Sequence, residues 1–366
     1  MVDHPRQAQI TRLLINGYKS IEQCDLSLSG LNVLIGANGA GKSNFIGFFS
    51  LINRILEQRL QEAVGKAGGP DALLHFGRKK TEVLKGEFFF GNNGYKFSLE
   101  PTQDNRMMFS RECLWWNMSG DSQFHSGHFE TYFSSKRSSS SVYDYVIPAM
   151  QMWRLYHFHD TSASATVKQI HNINDNQYLR DDARNLAAFL YRLKIQHESS
   201  YRRIVKTIQL VAPFFGDFCL RPTIANPEKI QLEWTETGQD EPFTASALSD
   251  GTLRFICLAT VLLQPKDLMP STLLIDEPEL GLHPYAITVL GALMRSASLE
   301  QQLIISTQSV ELVNEFEPKD LIIVDKIGGS SRFKRLESAS LTEWLEEYSL
   351  GELWKKNVLG CKLSTF

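Results

Sequence analysis

The sequence lacks a long apolar run, a paired cysteine motif and an excess of charge of either sign. Its longest apolar stretches, such as FICLATVLL at 255–263, are far shorter than the roughly 20 residues that span a bilayer. We therefore expect no contact with a membrane. The net charge of −3 over 366 residues excludes a polycation that binds nucleic acid over its whole surface. Any contact with DNA or RNA must come from a local basic patch.

The five cysteines lie far apart, and none belongs to a CxxC pair. This spacing is typical of reduced cysteines, and it argues against a disulfide framework or a zinc site. The opening residues, MVDHPRQAQ, contain no apolar run of the kind that a secretion signal needs. The sequence therefore predicts a cytoplasmic protein.

A glycine-rich turn at 36–43, GANGAGKS, is the first motif with clear chemistry. It fits G-x-x-x-x-G-K-[ST] and lies between an apolar strand pattern and a helical pattern, as a phosphate loop must. Glycines let the backbone amides surround a phosphate, and the following helix adds partial positive charge. Lys42 is expected to reach the β- and γ-phosphates, and the Ser43 hydroxyl to bind Mg²⁺. The predicted ATP-binding residues of this region are Gly36, Asn38, Gly39, Gly41, Lys42, Ser43 and Asn44.

Two adjacent acids, Asp276 and Glu277, end the apolar run at 271–275. On an extended backbone neighbouring side chains face opposite ways, so we expect the two acids to do different work. Asp276 is predicted to lie in the Mg²⁺ shell. Glu277 is predicted to orient the attacking water or to accept its proton, a contribution of about 10²–10⁴ in rate. A solvated strand end is the alternative interpretation.

The order of the patterns indicates an α/β fold. A helical pattern follows the phosphate loop, and the segment 84–100 has the Asn-Gly signature of a β-hairpin. In the last third, apolar strands alternate with helices, which predicts a parallel sheet covered on both faces. We expect a phosphate-loop parallel sheet with an antiparallel β section, an inserted helical lobe and a helical tail.

Three motifs together resemble one family. The phosphate loop, LSDGT at 248–252 and LLIDEPELGLHP at 273–284 occur in the order found in ABC-type ATPase heads of the RecF, SMC and OLD-like group. The resemblance starts at the opening strand pattern, ITRLLINGYKSIEQCDL, and covers nearly the whole chain. It implies an ATPase lobe at 1–155, a helical lobe with the signature at 156–264, a returning ATPase lobe at 265–335 and a helical tail at 336–366.

The family resemblance implies a nucleotide sandwich formed by a homodimer. ATP at one subunit's phosphate loop is closed over by the other subunit's signature, so Ser249 and Gly251 would contact the γ-phosphate in trans. A Ser-x-Gly turn at a helix N-terminus is also an anion site on physical grounds. Taken alone, LSDG is only an N-capping turn. Asp250 departs from the glycine that many ABC proteins carry at this position.

Gln308 directly follows the strand pattern LIIST at 303–307, at a position where many relatives carry a histidine. A glutamine amide donates to phosphate and accepts from water, but it cannot become cationic. The resemblance therefore implies a catalytic Gln308 and slow hydrolysis without a histidine-like pKa, with plain capping as the alternative. Further candidates are Lys19 near the nucleotide base, and His159 or Asp160 near the γ-phosphate or Mg²⁺.

The predicted function is an ATPase that uses ATP and Mg²⁺, dimerises and controls a partner. The resemblance points to anti-phage defence or DNA maintenance. Only 58 residues follow Gln308, too few for the appended nuclease domain of OLD-like proteins, so we expect a separate effector, a nuclease or toxin. The alternative is a scaffold that holds this effector, with incidental turnover. Basic groups at 78–80, 136–137 and 192–206 are either contacts for DNA or RNA phosphates or solvated faces.

Overall fold

The structure is a computed structural model that describes residues 9–116, 120–133, 141–158, 160–337, 344, 346–356 and 358–359. Its strands are β1 (Arg12–Tyr18), β2 (Ile21–Ser27), β3 (Leu31–Ile35), β4 (Leu84–Phe90), β5 (Asn93–Pro101), β6 (Met107–Trp116), β7 (Gly120–His125), β8 (Arg154–Tyr156), β9 (His171–Asn172), β10 (Phe215–Phe218), β11 (Pro222–Thr223), β12 (Asn226–Ile230), β13 (Glu233–Glu236), β14 (Pro242–Thr244), β15 (Thr272–Asp276), β16 (Gln302–Thr307), β17 (Leu321–Ile327) and β18 (Ser330–Arg335). Its α-helices are α1 (Lys42–Leu56), α2 (Leu60–Ala67), α3 (Pro70–Leu73), α4 (Ser141–Gln151), α5 (Leu186–Gln196), α6 (Glu198–Val211), α7 (Asp250–Leu262), α8 (Pro284–Ala297), α9 (Val310–Val313) and α10 (Leu350–Lys355). None of these described helices has both the length and the apolar character needed to cross a bilayer.

The chain divides into two compact units. The first unit comprises residues 1–155, 270–276 and 301–366, and the second comprises 156–269 and 277–300. The phosphate loop therefore belongs to the first unit and the signature turn to the second. The boundaries of the four segments expected from the sequence remain a prediction.

The first unit is built on a six-stranded sheet with the order β18-β17-β3-β16-β15-β8. Strands β17, β3, β16 and β15 run parallel, and β18 pairs antiparallel with β17. Every residue of β3 and of β16 is buried, as expected for parallel strands that are covered on both faces. The predicted α/β fold with a phosphate-loop parallel sheet is confirmed.

A second sheet of the first unit is antiparallel, with the order β2-β1-β4-β5-β6-β7. The hairpin expected at 84–100 is present, but Phe90 pairs with Asn93, so the turn consists of residues 91 and 92. The prediction that Asn93 and its following glycine form the turn is wrong, because both belong to β5. Gly91 instead takes the first turn position with a φ of 62°, the preference of a type II′ turn.

Helix α1 lies in the core of the first unit. Phe48 packs edge-on against Tyr18 at 5.2 Å and stacks on Phe88 at 5.8 Å, which attaches the helix to the antiparallel sheet. Phe45 contacts Phe333 of β18 at 5.3 Å, which attaches it to the parallel sheet. Full burial of each such ring stabilises the fold by about 1.5–3 kcal/mol. The helix that begins in the phosphate loop is thus fixed from two sides.

The second unit contains helices α5 to α8 and two small antiparallel sheets, β10-β13-β14 and β11-β12-β9. Helix α7 is its centre, because every residue from Leu253 to Leu262 is buried. Helices α6 and α8 pack against it. The sequence patterns FCLRPTI and KIQLEW also predict a short β pair here, and β11 pairs antiparallel with β12, with Pro222 of the first stretch opposite Ile230 of the second.

Within the described part of the tail, Leu350–Lys355 form a short helix, α10, that packs on α9. The Gly351 amide donates to Asn314 Oδ1 at 2.7 Å, and Ser349 caps the helix. Residues 338–343, 345, 357 and 360–366 of the predicted helical tail lie outside the described residues.

Candidate functional site

The carboxyl ends of three parallel strands meet at one edge of the sheet in the first unit. Strand β3 runs into the phosphate loop, β16 runs into Gln308, and β15 ends at Asp276. The register places Ile35 beside Thr307, and Ser306 beside Asp276. Because neighbouring strands lie about 4.8 Å apart, the structure brings the loop, Gln308 and Asp276 to the same edge.

The phosphate loop is exposed at its tip and closely packed where helix α1 begins. Asn38, Gly39 and Ser43 are exposed. Gly41 has a φ of 119°, and a Cβ at this position would lie 2.0 Å from Ser331 Oγ. Both the backbone conformation and this contact therefore require glycine at position 41.

Two serines support the loop from behind. Ser331 Oγ donates to the Ala40 carbonyl at 2.6 Å and lies 2.7 Å from Ser20 Oγ. Asn44 Nδ2 donates to the same Ser20 hydroxyl at 2.6 Å. Sequence reasoning missed Ser20 and Ser331, because the bond between them joins positions 311 residues apart and no local pattern marks it.

Lys42 is buried, and its ammonium group lies within the phosphate loop. Its Nζ donates to the Gly36 carbonyl at 2.7 Å and to the Ala37 carbonyl at 3.2 Å. Only 4% of the residue is exposed, and a charge buried to this extent needs such acceptors in place of water. The loop therefore holds a positive charge next to its exposed backbone, which suits a phosphate anion.

Asp276 accepts a hydrogen bond from the Ser306 hydroxyl. Ser306 is completely buried, so this bond fixes the orientation of the carboxylate. Carboxylate and hydroxyl oxygens are the ligands that Mg²⁺ prefers, usually completed by waters and substrate phosphates. The donor set of Asp276 and Ser43 thus fits the predicted metal. Within the described ranges, no three His, Cys, Asp or Glu side chains cluster as a metal cage.

Glu277 does not continue the strand. Strand β15 ends at Asp276, and Glu277 has a φ of 45°. The expectation that the two acids alternate along an extended backbone is therefore wrong. The left-handed conformation costs a residue other than glycine about 1–2 kcal/mol, and such strain concentrates at functional sites.

Gln308 is half-buried in the two-residue turn between β16 and α9. The cap of α9 is its neighbour, Ser309, whose Oγ accepts from the Leu312 amide at 3.1 Å. Ser309 thus caps this helix. The catalytic role of Gln308 and its alternative role as a cap both stay predictions.

Lys19 lines a cavity of about 620 Å³ in the first unit, together with Asp71, Phe76 and Lys79. Lys19 and Phe76 both have positive φ angles, 46° and 55°. The Phe76 residue is 60% exposed, and burial lowers the pKa of Lys19. Lys19 is followed by Ser20, which supports the phosphate loop. The sequence singled out Lys19 but not Phe76, since an isolated phenylalanine in a loop carries no motif.

The signature turn of the second unit faces solvent. Ser249 is the N-cap of α7, and its Oγ accepts from the Thr252 amide at 3.2 Å. Both Ser249 and Asp250 are exposed. The partial positive charge of a helix N-terminus is therefore available at this surface.

The segment at 157–160 gives no metal site among the described residues. His159 lies outside the described residues. Asp160 accepts from the Ser162 hydroxyl at 2.7 Å and from its amide at 3.1 Å. These bonds, the hydroxyl first, lower the pKa of the Asp160 carboxyl. A role of Asp160 at the γ-phosphate or Mg²⁺ stays a prediction.

Several of the basic residues named above make contacts within the chain. Arg78 pairs with Asp71 at 3.0 Å, and Arg202 pairs with Glu198 at 3.4 Å. Residues 136–137 lie outside the described residues. Exposed pairs of this kind are worth about 0–1 kcal/mol, so they compete only weakly with a nucleic-acid phosphate.

A parallel sheet with a phosphate loop, a carboxylate at the end of a neighbouring strand and a second unit with the signature turn define an ABC-type ATPase head. The family described as "AAA domain, putative AbiEii toxin, Type IV TA system" matches residues 31–314, and the chain belongs to this family. No protein of curated function matches the sequence.

Solved structures of SMC heads share the fold. The SMC head bound to the C-winged helix domain of ScpA has a TM-score of 0.62 and 18% identity, over 91% of this chain and 99% of that one. A head with an extended coiled coil from Pyrococcus furiosus, bound to the C-terminal domain of ScpA, has a TM-score of 0.56 and 17% identity, over 92% and 98%. A head with a coiled coil and joint from Pyrococcus yayanosii has a TM-score of 0.56 and 13% identity, over 92% and 99%. At these identities the likeness concerns the fold alone.

Proposed function

We propose that this chain is a cytoplasmic ATPase that binds ATP and Mg²⁺ at the sheet edge of its first unit and hydrolyses ATP slowly. Two copies close around two nucleotides and thereby control a partner effector. The observation that carries the proposal is the strand register, which aligns the exposed phosphate loop, Gln308 and Asp276 at one edge. Family membership supports the same conclusion.

Each residue of the proposed site has a definite task. The loop amides and Lys42 bind the β- and γ-phosphates, while Ser43 and Asp276 hold the metal. Mg²⁺, when bound, neutralises negative charge on the phosphate oxygens. Glu277 orients the attacking water and accepts its proton. Gln308 donates its amide N–H to the γ-phosphate and accepts from the same water, so it positions without changing charge.

The base of the nucleotide is proposed to enter the cavity lined by Lys19 and Phe76. An exposed aromatic ring offers a face on which a base stacks, worth about 1–3 kcal/mol for stacked bases in proteins. Lys19 contributes a cation at the same cavity. Both residues are held in strained backbone conformations, which is the kind of feature that a binding site retains.

The dimer is proposed to form because the signature turn presents Ser249 to solvent at a helix N-terminus, with Gly251 in the first turn of the same helix. A γ-phosphate bound by a second copy is the anion that such a turn attracts. Two of the SMC heads of similar fold are bound to domains of ScpA. By analogy, this head controls a separate effector, a nuclease or toxin, in anti-phage defence or DNA maintenance, and it contacts DNA or RNA through its basic patches.

Phosphate release from ATP and Mg²⁺ by the purified protein tests the proposal. Wild type is expected to show slow turnover that is lost in Glu277→Gln and in Lys42→Ala. If wild type and Glu277→Gln bind ATP but release phosphate at the same rate, the chain is a scaffold that binds ATP and not a working ATPase. Absence of both ATP binding and release would contradict the proposal altogether.

A further inference from the structure

Arg254 is a buried cation in the second turn of the signature helix α7. Only 8% of the residue is exposed. Arginine stays charged in proteins, and a charge is buried only where hydrogen-bond acceptors replace water. The acceptors of Arg254 therefore show which parts of the second unit this side chain holds together.

Two backbone carbonyls from distant segments accept from this one guanidinium. Nε donates to the Phe158 carbonyl at 2.7 Å, and Nη1 donates to the Leu280 carbonyl. Leu280 belongs to the turn that starts at Glu277, since its amide donates to the Glu277 carbonyl at 3.4 Å. One side chain thus joins the signature helix to the turn that carries Glu277 and to the segment at 158.

Two glycines bring the signature turn and the turn after Glu277 into direct backbone contact. A Cβ on Gly251 would lie 2.4 Å from the Gly281 carbonyl oxygen. A Cβ on Gly281 would lie 2.8 Å from Arg254 Nη1, and Gly281 has a φ of 73°. Because no side chain fits between the two turns, neither shifts far without the other.

A second buried cation connects the same segments. Lys168 Nζ donates to the Thr161 carbonyl at 2.5 Å and lies 3.6 Å from Asp250 Oδ1. Asp250, which replaces the glycine of many ABC signatures, therefore has an ionic partner within its own unit. The signature turn and its helix are thus attached to Phe158 through Arg254 and to Thr161 through Lys168.

We propose that Arg254 is a positioning residue that couples the two nucleotide sites of the dimer. The inference rests on the proposed function, in which Ser249 serves the partner's nucleotide and Glu277 serves the nucleotide of its own protomer. Arg254 belongs to the helix that begins at Ser249, and it donates to the turn that begins at Glu277. Closure of the signature turn on one nucleotide therefore sets the position of Glu277 at the other.

The test compares wild type with Arg254→Ala, Arg254→Lys and the exposed control Arg184→Ala. ATP affinity, kcat, the Hill coefficient for ATP and the melting temperature are measured for each. Arg254→Ala is expected to bind ATP within about threefold of wild type, because the phosphate loop belongs to the first unit. Its kcat falls by about 10²-fold, the order of effect of a 1 Å misplacement, and its Hill coefficient falls to one. Arg254→Lys is intermediate, because an ammonium lacks the fork that reaches both carbonyls.

If Arg254→Ala keeps the kcat and the Hill coefficient of wild type, the coupling role is overturned. A joint loss of ATP affinity, kcat and melting temperature also overturns it, because that result indicates a structural role only. If Arg254→Ala does not fold, Arg254→Lys and Lys168→Met carry the test, each with reduced kcat and Hill coefficient at unchanged ATP affinity. A wild-type protein that neither hydrolyses ATP nor dimerises overturns the proposed function, and the coupling role with it. The two failures are therefore distinguishable.

Discussion

Ser306 donates a hydrogen bond to the Asp276 carboxylate from the position directly opposite on the neighbouring parallel strand. A small polar residue is thus placed inside a fully buried strand to hold the acid that we assign to the metal. Residues that hold a metal ligand in this way fix its orientation, and their removal lowers the affinity of the site for the metal.

Removal of this donor is predicted to weaken metal binding. Ser306→Ala leaves the carboxylate in place but removes the hydroxyl that helps to orient it, so the Mg²⁺ concentration for half-maximal ATP hydrolysis rises about 10–100-fold. A magnesium titration of phosphate release measures this shift. Ser298→Ala is the matched control, because the Ser298 hydroxyl donates to the Arg295 carbonyl at the end of α8. An unchanged magnesium requirement would show that Ser306 does not support a metal ligand.

Lys42→Ala is predicted to abolish tight ATP binding. The loop keeps its backbone donors, but it loses the cation that the Gly36 and Ala37 carbonyls hold in place. Loss of one partner of a buried charge pair costs about 2–5 kcal/mol, so the dissociation constant for ATP rises about 30-fold or more. Calorimetry measures this change, with the exposed Lys66→Ala as control. ATP affinity equal to that of wild type would exclude the loop as the nucleotide site.

Gln308 is predicted to support hydrolysis without titrating. Loss of one amide donor at a reacting phosphate lowers kcat about 10²–10³-fold. We therefore expect the kcat of Gln308→Ala to fall by this factor, while its ATP affinity changes little. In Gln308→His, the pH profile of kcat gains a titration near pH 6.5, the ordinary histidine pKa. The exposed Gln196→Ala is the control. A Gln308→Ala variant with wild-type kcat would leave the residue without a catalytic role.

Glu112 is a fully buried acid of β6 in the first unit. It accepts from Tyr95 Oη at 2.6 Å, from Thr131 Oγ1 at 2.5 Å and from the Tyr132 amide at 2.9 Å. The His128 ring lies 3.6 Å from its carboxylate. Burial raises the pKa of Glu112 above the ordinary 4.5, and these bonds only partly offset it.

The raised pKa predicts a definite dependence of stability on pH. The folded state binds the Glu112 proton more tightly than the unfolded state does. The stabilisation that results from this proton is therefore complete below pH 4.5. It is lost as the pH rises through the folded pKa. The free energy of unfolding of wild type, measured by urea and taken relative to Glu112→Gln, should therefore fall as the pH rises from about 4 to 8. The exposed Glu241→Gln is the control, and a flat difference would contradict the prediction.

The parts of the site that consist of consecutive residues could be predicted from the sequence. The phosphate loop, the strand that ends at Asp276 and the turn at Ser249 each consist of neighbours along the chain, and their spacing carries the chemistry. The α/β class followed from the same patterns, because alternating apolar strands and helices leave few other solutions.

The remaining features depend on contacts between distant positions. Ser306 and Ser331 are ordinary residues in strand patterns until the register places them beside Asp276 and Ala40. Arg254 had a weak signal, a cation within an apolar helix, but its acceptors lie 96 and 26 residues away. The positive φ of Glu277 also escaped prediction, since only the folded turn imposes that conformation.

The central claim is that two copies of this chain enclose ATP between the phosphate loop of one and the signature turn of the other. Light scattering gives the molar mass of Glu277→Gln, a variant expected to bind ATP without consuming it. The control is the double variant Glu277→Gln with Ser249→Arg, in which the arginine side chain blocks the signature turn. We expect a dimer that appears only with ATP and Mg²⁺ and is absent when Ser249→Arg is present. A protein that stays monomeric with ATP bound would contradict it.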